Sequence, residues 1–256
     1  MYAAKRPNGR TSVLICGATL APGVERLHRP AVIDHGINSM LLSFETVSRT
    51  ASSCIVDAAG NELEYGDLAS AEAEVGLVRM LSELIDRHGV PSALAVAAGP
   101  GSFTGIRVGI VAARTLSWMD RLPVHAVDSL AACAAQAGDG LWWVLLPLKR
   151  DTTFHGLFRV ESAAIEVLAA TTAELDAAAP TLHSLTASAV AIGPALAAKP
   201  DLARRWCPGI VLGDVSAPNA RGVARAARGE VATTWDRLLP AYHQEPSPVL
   251  QRRARV

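Results

Sequence analysis

The stretch that constrains this chain most is an apolar run that breaks on glycines and passes straight into a long helix. Leu94-Ala95-Val96-Ala97-Ala98 reads as a buried strand. Gly99, Pro100 and Gly101 break it, and Ser102-Phe103-Thr104 leads into a helix predicted over 105–119, with Ser102 or Thr104 as its N-cap. Glycines at 99, 101 and 105 ask for positive φ or close backbone approach. A strand–loop–helix of this kind can hold an anion, because unpaired N–H groups and the helix dipole meet at the helix start. The known phosphate motifs do not fit. G-x-G-x-x-x-G is one residue longer than the dinucleotide fingerprint, and no Lys-Ser or Lys-Thr follows Gly105. Nor does Ser102 stand in G-x-S-x-G, so a nucleophile elbow fails. The plain reading is a tight turn before a packed helix.

The helix says more than the loop. Ile106, Ile110, Ala113 and Ser117 share one side, while Val108, Val111, Ala112, Thr115 and Trp118 share another. A surface helix needs one apolar stripe; this one has two, with Arg107, Arg114 and Asp120 as its charges. Gly109 in mid-helix costs ~1 kcal/mol relative to alanine. Gly105, Gly109 and Ala113 form a small-residue ridge suited to close helix approach. The expectation is therefore that both sides are covered, the ridge by a partner and the Val108–Val111 side by the chain's own sheet.

The run Gly99-Pro100-Gly101-Ser102-Phe103-Thr104-Gly105-Ile106-Arg107-Val108-Gly109, continuing through Ala112, Ala113 and Leu116, resembles the signature of the TsaB (YeaZ) family. That family is the dimerisation subunit of the bacterial tRNA threonylcarbamoyladenosine machinery. A weaker match, in the order of elements, extends from Met40 to Tyr242. The resemblance implies an α/β, duplicated actin-like (ASKHA, ribonuclease H-like) fold in two lobes. It implies a non-catalytic scaffold that pairs with a catalytic TsaD-type subunit, with a TsaE-type ATPase in the larger complex. The product would be threonylcarbamoyladenosine at position 37 of ANN-decoding tRNAs, with tRNA reached only indirectly, and the location cytoplasmic. A homodimer in the absence of a partner stays open. The expected interface uses the two long helices of the first lobe, through Val75, Val78, Gly105, Ile106, Gly109, Ile110 and Ala113.

Bulk properties agree with that reading. The 24 basic and 24 acidic residues balance, so no global field draws the chain to nucleic acid. Cys16, Cys54, Cys133 and Cys207 are scattered without a C-x-x-C pair, which reads as reduced thiols in a cytosolic protein. The seven histidines include no H-x-x-x-H, so no metal site and no cofactor are expected. No apolar run approaches the ~20 residues a membrane span needs.

Taken in order, residues 1–38 look unlike the rest. Lys5, Arg6 and Arg10 precede Val13-Leu14-Ile15-Cys16, too short an apolar stretch for a signal peptide, and an accessory, poorly ordered extension is expected. Strands are predicted over 40–44, 53–56 and 62–65, with Ala59-Gly60-Asn61 turning between the last two. A helix over 71–88 carries Glu72 and Glu74 in its first turn and stops at Gly89. After the central stretch come a strand at 124–127 and a helix at 129–137 capped by Asp128. Ala137-Gly138-Asp139-Gly140 reads as the junction between lobes at 39–138 and 139–256. Strands at 141–146, 152–160 and 165–169, a helix at 172–178, a strand at 189–193 and helical pieces at 195–205 and 219–228 follow. The order β-β-β-α-β-α thus appears twice. The tail Gln251-Arg252-Arg253-Ala254-Arg255 reads as a solvated basic end.

Chemistry has few candidates. In active ATPases of the actin-like superfamily an acid after the first strand holds the metal–nucleotide complex, and here Glu45-Thr46 stands there, where the TsaB family more often has Asp-Thr. The Asp-Ala-Arg turn that opens the second half in relatives is Leu148-Lys149-Arg150-Asp151. Gly193-Pro194 stands where a glycine-rich turn approaches adenosine. The family's histidine at the start of the first long helix is absent from Ala69-Ser70-Ala71-Glu72, and its Tyr-Leu-Arg appears as Tyr242-His243-Gln244. The rival reading is an ATP-dependent small-molecule kinase or acyl transferase of the same fold, built on Glu45 and the Gly99 loop.

Overall fold

Two apolar runs, one at each chain half, organise two sheets. The computed structural model describes residues 39–162, 164–180, 182–214 and 216–242. The extension expected at 1–38, the departure at His243-Gln244 and the basic tail lie outside the described residues.

The first half runs β1 Leu41–Glu45, β2 Thr50–Val56, β3 Glu62–Ala69, α1 Ser70–His88, β4 Ala93–Gly99, α2 Phe103–Asp120, β5 Val124–Asp128 and α3 Ser129–Ala137. Its sheet order is β3-β2-β1-β4-β5. β1–β2 and β2–β3 are antiparallel, whereas β1–β4 and β4–β5 are parallel. β4 is buried along its whole length. A strand covered on both faces needs no polar alternation, which is why its sequence is a continuous apolar run.

The second half runs β6 Gly140–Lys149, β7 Thr152–Glu161, β8 Ala164–Leu175, α4 His183–Thr186, β9 Val190–Ile192, α5 Ala195–Ala198, α6 Leu202–Trp206, β10 Val211–Leu212 and α7 Ala220–Ala226. Its order, β10-β9-β6-β7-β8, is the first sheet read backwards. The senses repeat too: β6–β7 and β7–β8 antiparallel, β6–β9 and β9–β10 parallel. This is the duplicated actin-like, ribonuclease H-like fold.

On the outer face of the first sheet, Leu77, Leu81 and Leu84 of α1 and Ile106, Ile110 and Ala113 of α2 pack with Leu42, Phe44 and Val96. Burying each such large side chain stabilises the fold by about 1.5–3 kcal/mol. Between the sheets lie α3 and α7. Leu130, Ala131, Cys133 and Ala134 of α3 join the core of the second sheet, while Ala132 and Ala135, with Val223 and Ala226 of α7, join that of the first. Alanine and glycine make the close approach possible: a Cβ on Gly222 would lie 2.2 Å from the Ala132 carbonyl oxygen. Asp128 caps α3, accepting from the N–H groups of Leu130 and Ala131 at 2.7 and 3.0 Å.

Three local expectations change. The helix expected at 172–178 is the end of β8, because Thr172, Ala173 and Leu175 pair with His155, Phe154 and Thr152 of β7. Ladder pairing and β-branched Thr171 and Thr172 outweigh the alanines there. The piece at 195–205 divides into α5 and α6 around Lys199-Pro200, since a residue before proline is steered out of the helical region. β10 is only two residues long, too short to show a period.

Candidate functional site

The signature loop is shaped by a segment remote in sequence. Ser102 is the N-cap of α2, its side chain accepting from Gly105 N at 3.2 Å. The turn after β1 lies across the loop: Ser102 N donates to Val47 O at 2.9 Å, and Thr46 Oγ1 donates to Gly105 O at 2.7 Å. A Cβ on Gly105 would sit 1.9 Å from Thr46 O, and one on Gly101 2.6 Å from Val47 Cβ. On the other side Ala241 N donates to Ala98 O at 2.9 Å, and a Cβ on Gly99 would fall 2.7 Å from Ala241 O. The glycine spacing is thus accounted for by backbone packed against backbone. Pro100 is buried, Thr104 exposed, and Phe103 half-exposed. The Phe103 ring stacks on Tyr242 with centroids 5.2 Å apart, and the Arg107 guanidinium lies 5.2 Å over it.

The two stripes of α2 are assigned the opposite way from the sequence expectation. Ile106, Gly109, Ile110, Ala113 and Ser117 are buried. A Cβ on Gly109 would lie 2.5 Å from Thr46 Oγ1 and 3.3 Å from Val96 Cγ2, so the Gly105–Gly109–Ala113 ridge serves the chain's own β1 turn and sheet. Of the α2 positions expected at an interface, Ile106, Gly109, Ile110 and Ala113 are buried, and Gly105 lies half-buried under Thr46. Small residues admit any close backbone, and here it is a strand turn, not a helix. The outward apolar residues include Val75 and Val78 of α1, at 87% and 66% exposure, and Val111 and Trp118 of α2, at 62% and 63%. Val111 and Trp118 thus face outward, where the sequence pattern places their stripe against the chain's own sheet. A signal for them existed: Arg107 and Arg114 lie on the same side of the helix, and charge marks the solvent face.

Residues 67–143 match the family described as TsaD: tRNA N6-adenosine threonylcarbamoyltransferase. Among curated relatives, the tRNA threonylcarbamoyladenosine biosynthesis protein TsaB of Bacillus subtilis is 38% identical over 77 residues, 29% of this chain and 34% of that protein. TsaB of Haemophilus influenzae is 32% identical over 104 residues, 39% of this chain and 44% of that protein. Among solved structures, YeaZ from Pseudomonas aeruginosa superposes with a TM-score of 0.68 at 22% identity, covering 80% of this chain and 99% of that one. The chain is similar to TsaB proteins around the signature stretch and shares the fold of YeaZ. Its alignments to the curated TsaB proteins span between a third and a half of their lengths.

The positions that the sequence resemblance would assign to a nucleotide are buried or packed. Glu45 has no exposed surface, and burial pushes its carboxyl up to about 7 against the opposing pull of Ser48 and Val47 donors. A Cβ on Gly193 would lie 2.4 Å from Leu145 O, so that glycine is packed on β6. The turn after β6 is held by Lys199, whose Nζ reaches Lys149 O, Thr152 O and Thr153 Oγ1 at 3.2, 3.0 and 2.8 Å and Asp176 Oδ2 at 2.6 Å. Burial pushes the Cys54 and Cys133 thiols up to about 12, far from thiolate reactivity. Among the described residues no three His, Cys, Asp or Glu gather as a metal set, and no helix is long and apolar enough to cross a membrane. A shallow groove of about 220 Å³ between β3 and α1 is rimmed by Glu64, Asp67, Arg79, Glu83 and Arg87 and includes neither Glu45 nor the signature loop.

Proposed function

We propose that this chain is the non-catalytic scaffold subunit of a tRNA N6-adenosine threonylcarbamoyltransferase complex. It docks a TsaD-type catalytic subunit and so supports threonylcarbamoyladenosine formation at position 37 of ANN-decoding tRNAs. The lobes divide at 39–138 and 139–256, with α7 returning to the first sheet. The observation that carries the reading is the outward apolar face of α1 and α2, Val75, Val78, Val111 and Trp118, on a chain whose relatives are named for this biosynthesis. Exposed apolar surface of this kind marks a protein contact, and an aromatic beside arginines is the usual anchor. A TsaE-type ATPase joins the larger assembly, and tRNA is contacted through the partner, in keeping with the balanced charge. Sealed Glu45 and the lack of a phosphate-loop lysine argue against the kinase or acyl-transferase alternative.

The test is titration of the full chain against the TsaD-type subunit from the same cell. Val78→Asp with Trp118→Asp is expected to weaken binding at least ~30-fold without altering the monomer's melting. Unchanged binding overturns the face, and ATP turnover by the isolated chain that vanishes in Glu45→Ala overturns the scaffold reading. Self-association without any binding of the catalytic subunit makes the face a homodimer surface instead.

A further inference from the structure

The hydrogens around Glu45 can be counted. Ser48 Oγ lies 2.7 Å from Glu45 Oε2 and 2.8 Å from the Thr50 carbonyl oxygen, and Ser48 N donates to Glu45 Oε1 at 2.7 Å. A serine hydroxyl has one hydrogen to give, and a carbonyl oxygen can only accept. With both short contacts made, the hydrogen between Ser48 Oγ and Glu45 Oε2 belongs to the carboxyl. We infer that Glu45 is a neutral carboxylic acid donating to Ser48 Oγ, and that its proton latches the 46–50 turn beneath the signature loop.

The surroundings favour the neutral form. Glu45 has no exposed surface and, among the described residues, no cation pairs with it. The acids at the same end of the sheet two strands to either side, Asp67 of β3 and Asp128 of β5, have like sign. Burial, and then the charge of Asp67, push the Tyr65 hydroxyl of β3 up. From α7, Arg221 is taken up by Glu62 at 2.6 Å and by the Tyr65 ring at 3.5 Å. Arg49 of the turn is exposed. Burial raises the carboxyl to about 7, so the latch titrates near neutrality.

Ionisation breaks the count. A carboxylate and the Thr50 carbonyl would then compete for the single Ser48 hydroxyl hydrogen, and a buried charge would have to draw in water or swing out. The same turn supplies Val47 O to Ser102 N and Thr46 Oγ1 to Gly105 O, so its loosening frees the first turn of α2. The sign follows from linkage. The folded chain binds this proton more tightly than the unfolded one, so the added stability is full below 4.5 and is lost as pH rises through about 7.

The experiment is ¹³C NMR of the glutamate δ-carboxyl in the full chain, linked through bonds to the Glu45 backbone, with amide exchange read alongside. The carboxyl is expected to titrate near 7 in place of 4.5. Protection of the Ser102 amide, corrected for intrinsic exchange, should fall ~10-fold between about pH 6 and 8.5. Glu45→Gln, whose amide can donate to Ser48 Oγ, should hold that protection flat. A carboxyl titrating near 4.5, or the same loss of protection in Glu45→Gln, overturns the latch. If that variant fails to fold, the wild-type titration decides alone. None of these readouts involves the partner, so they stand apart from the scaffold reading.

Discussion

The two lobes share one sheet plan and differ in what covers it. On the first, α1 and α2 run 19 and 18 residues. The corresponding pieces of the second, α4, α5 and α6, run 4, 4 and 5. Pro180, Pro194, Pro200 and Pro208 punctuate that half and keep its helices short. The space is filled by bulk instead: Trp143, Trp206, Leu196 and Leu202 pack together, with His155 wedged edge-on at 6.1 and 5.6 Å from the two indoles. Short pieces with large side chains finish a core and leave little beyond it. Long helices finish a core with one face and have another to offer. On the first lobe the two long helices carry outward apolar side chains at Val75, Val78, Val111 and Trp118.

The turns after the central strands differ in the same spirit. In the first lobe the turn after β1 is pinned by a buried acid and by backbone contact with glycines. In the second it is pinned by the half-sealed pair of Lys199 and Asp176, 14% and 13% exposed. The strongest way to break the first arrangement is Gly105→Ala. Its Cβ meets Thr46 O at 1.9 Å, a backbone atom that cannot rotate away, and a loss of at least ~3 kcal/mol in urea unfolding is expected. A near-neutral result would show that the turn is free to move.

Lys199→Met should cost about 2–3 kcal/mol by leaving Asp176 and the Thr152 carbonyl without their cation. Because Trp143 and Trp206 report on that lobe, its fluorescence transition should precede loss of far-UV signal. A single coincident transition would mean that α3 and α7 bind the lobes into one cooperative unit.

A smaller effect, and one of opposite sign in each lobe, is expected from pH. Burial holds His155 below the usual imidazole range, with Glu174 opposing. A base with a depressed folded pKa withdraws stability as pH falls below 6.5, whereas Glu45 withdraws it as pH rises through about 7. His155→Gln should flatten the acid limb of the stability profile and Glu45→Gln the alkaline limb. Each variant flattening the other limb would mean the assignments are exchanged. The smallest change belongs to the outward face: Trp118→Ser should shift monomer stability by less than ~0.5 kcal/mol, because its side chain is left in water. A larger loss would show that Trp118 packs on its own lobe.

Much of the plan was readable because its signals are local. The glycine break after 94–98, Ser102 and Asp128 as caps, Gly89 as a stop and the apolar runs of the central strands each depend on neighbours within a turn or a ladder step. The end of β8 was less readable, since alanine and threonine fit helix or strand and only pairing with Thr152, Phe154 and His155 decides. The faces of α2 show the same limit. Period 3.6 divides the helix into stripes but carries no information about which neighbour each stripe meets. That neighbour is Thr46, whose hydroxyl reaches Gly105 across 59 residues, just as Ser43 reaches the Ala220 carbonyl across 177. The sequence by itself therefore determined most of the elements and the duplicated order. Tertiary structure alone decided that the glycine ridge is an inner seam and that valine and tryptophan face out, because side-chain burial is set by contacts between segments that no local pattern connects.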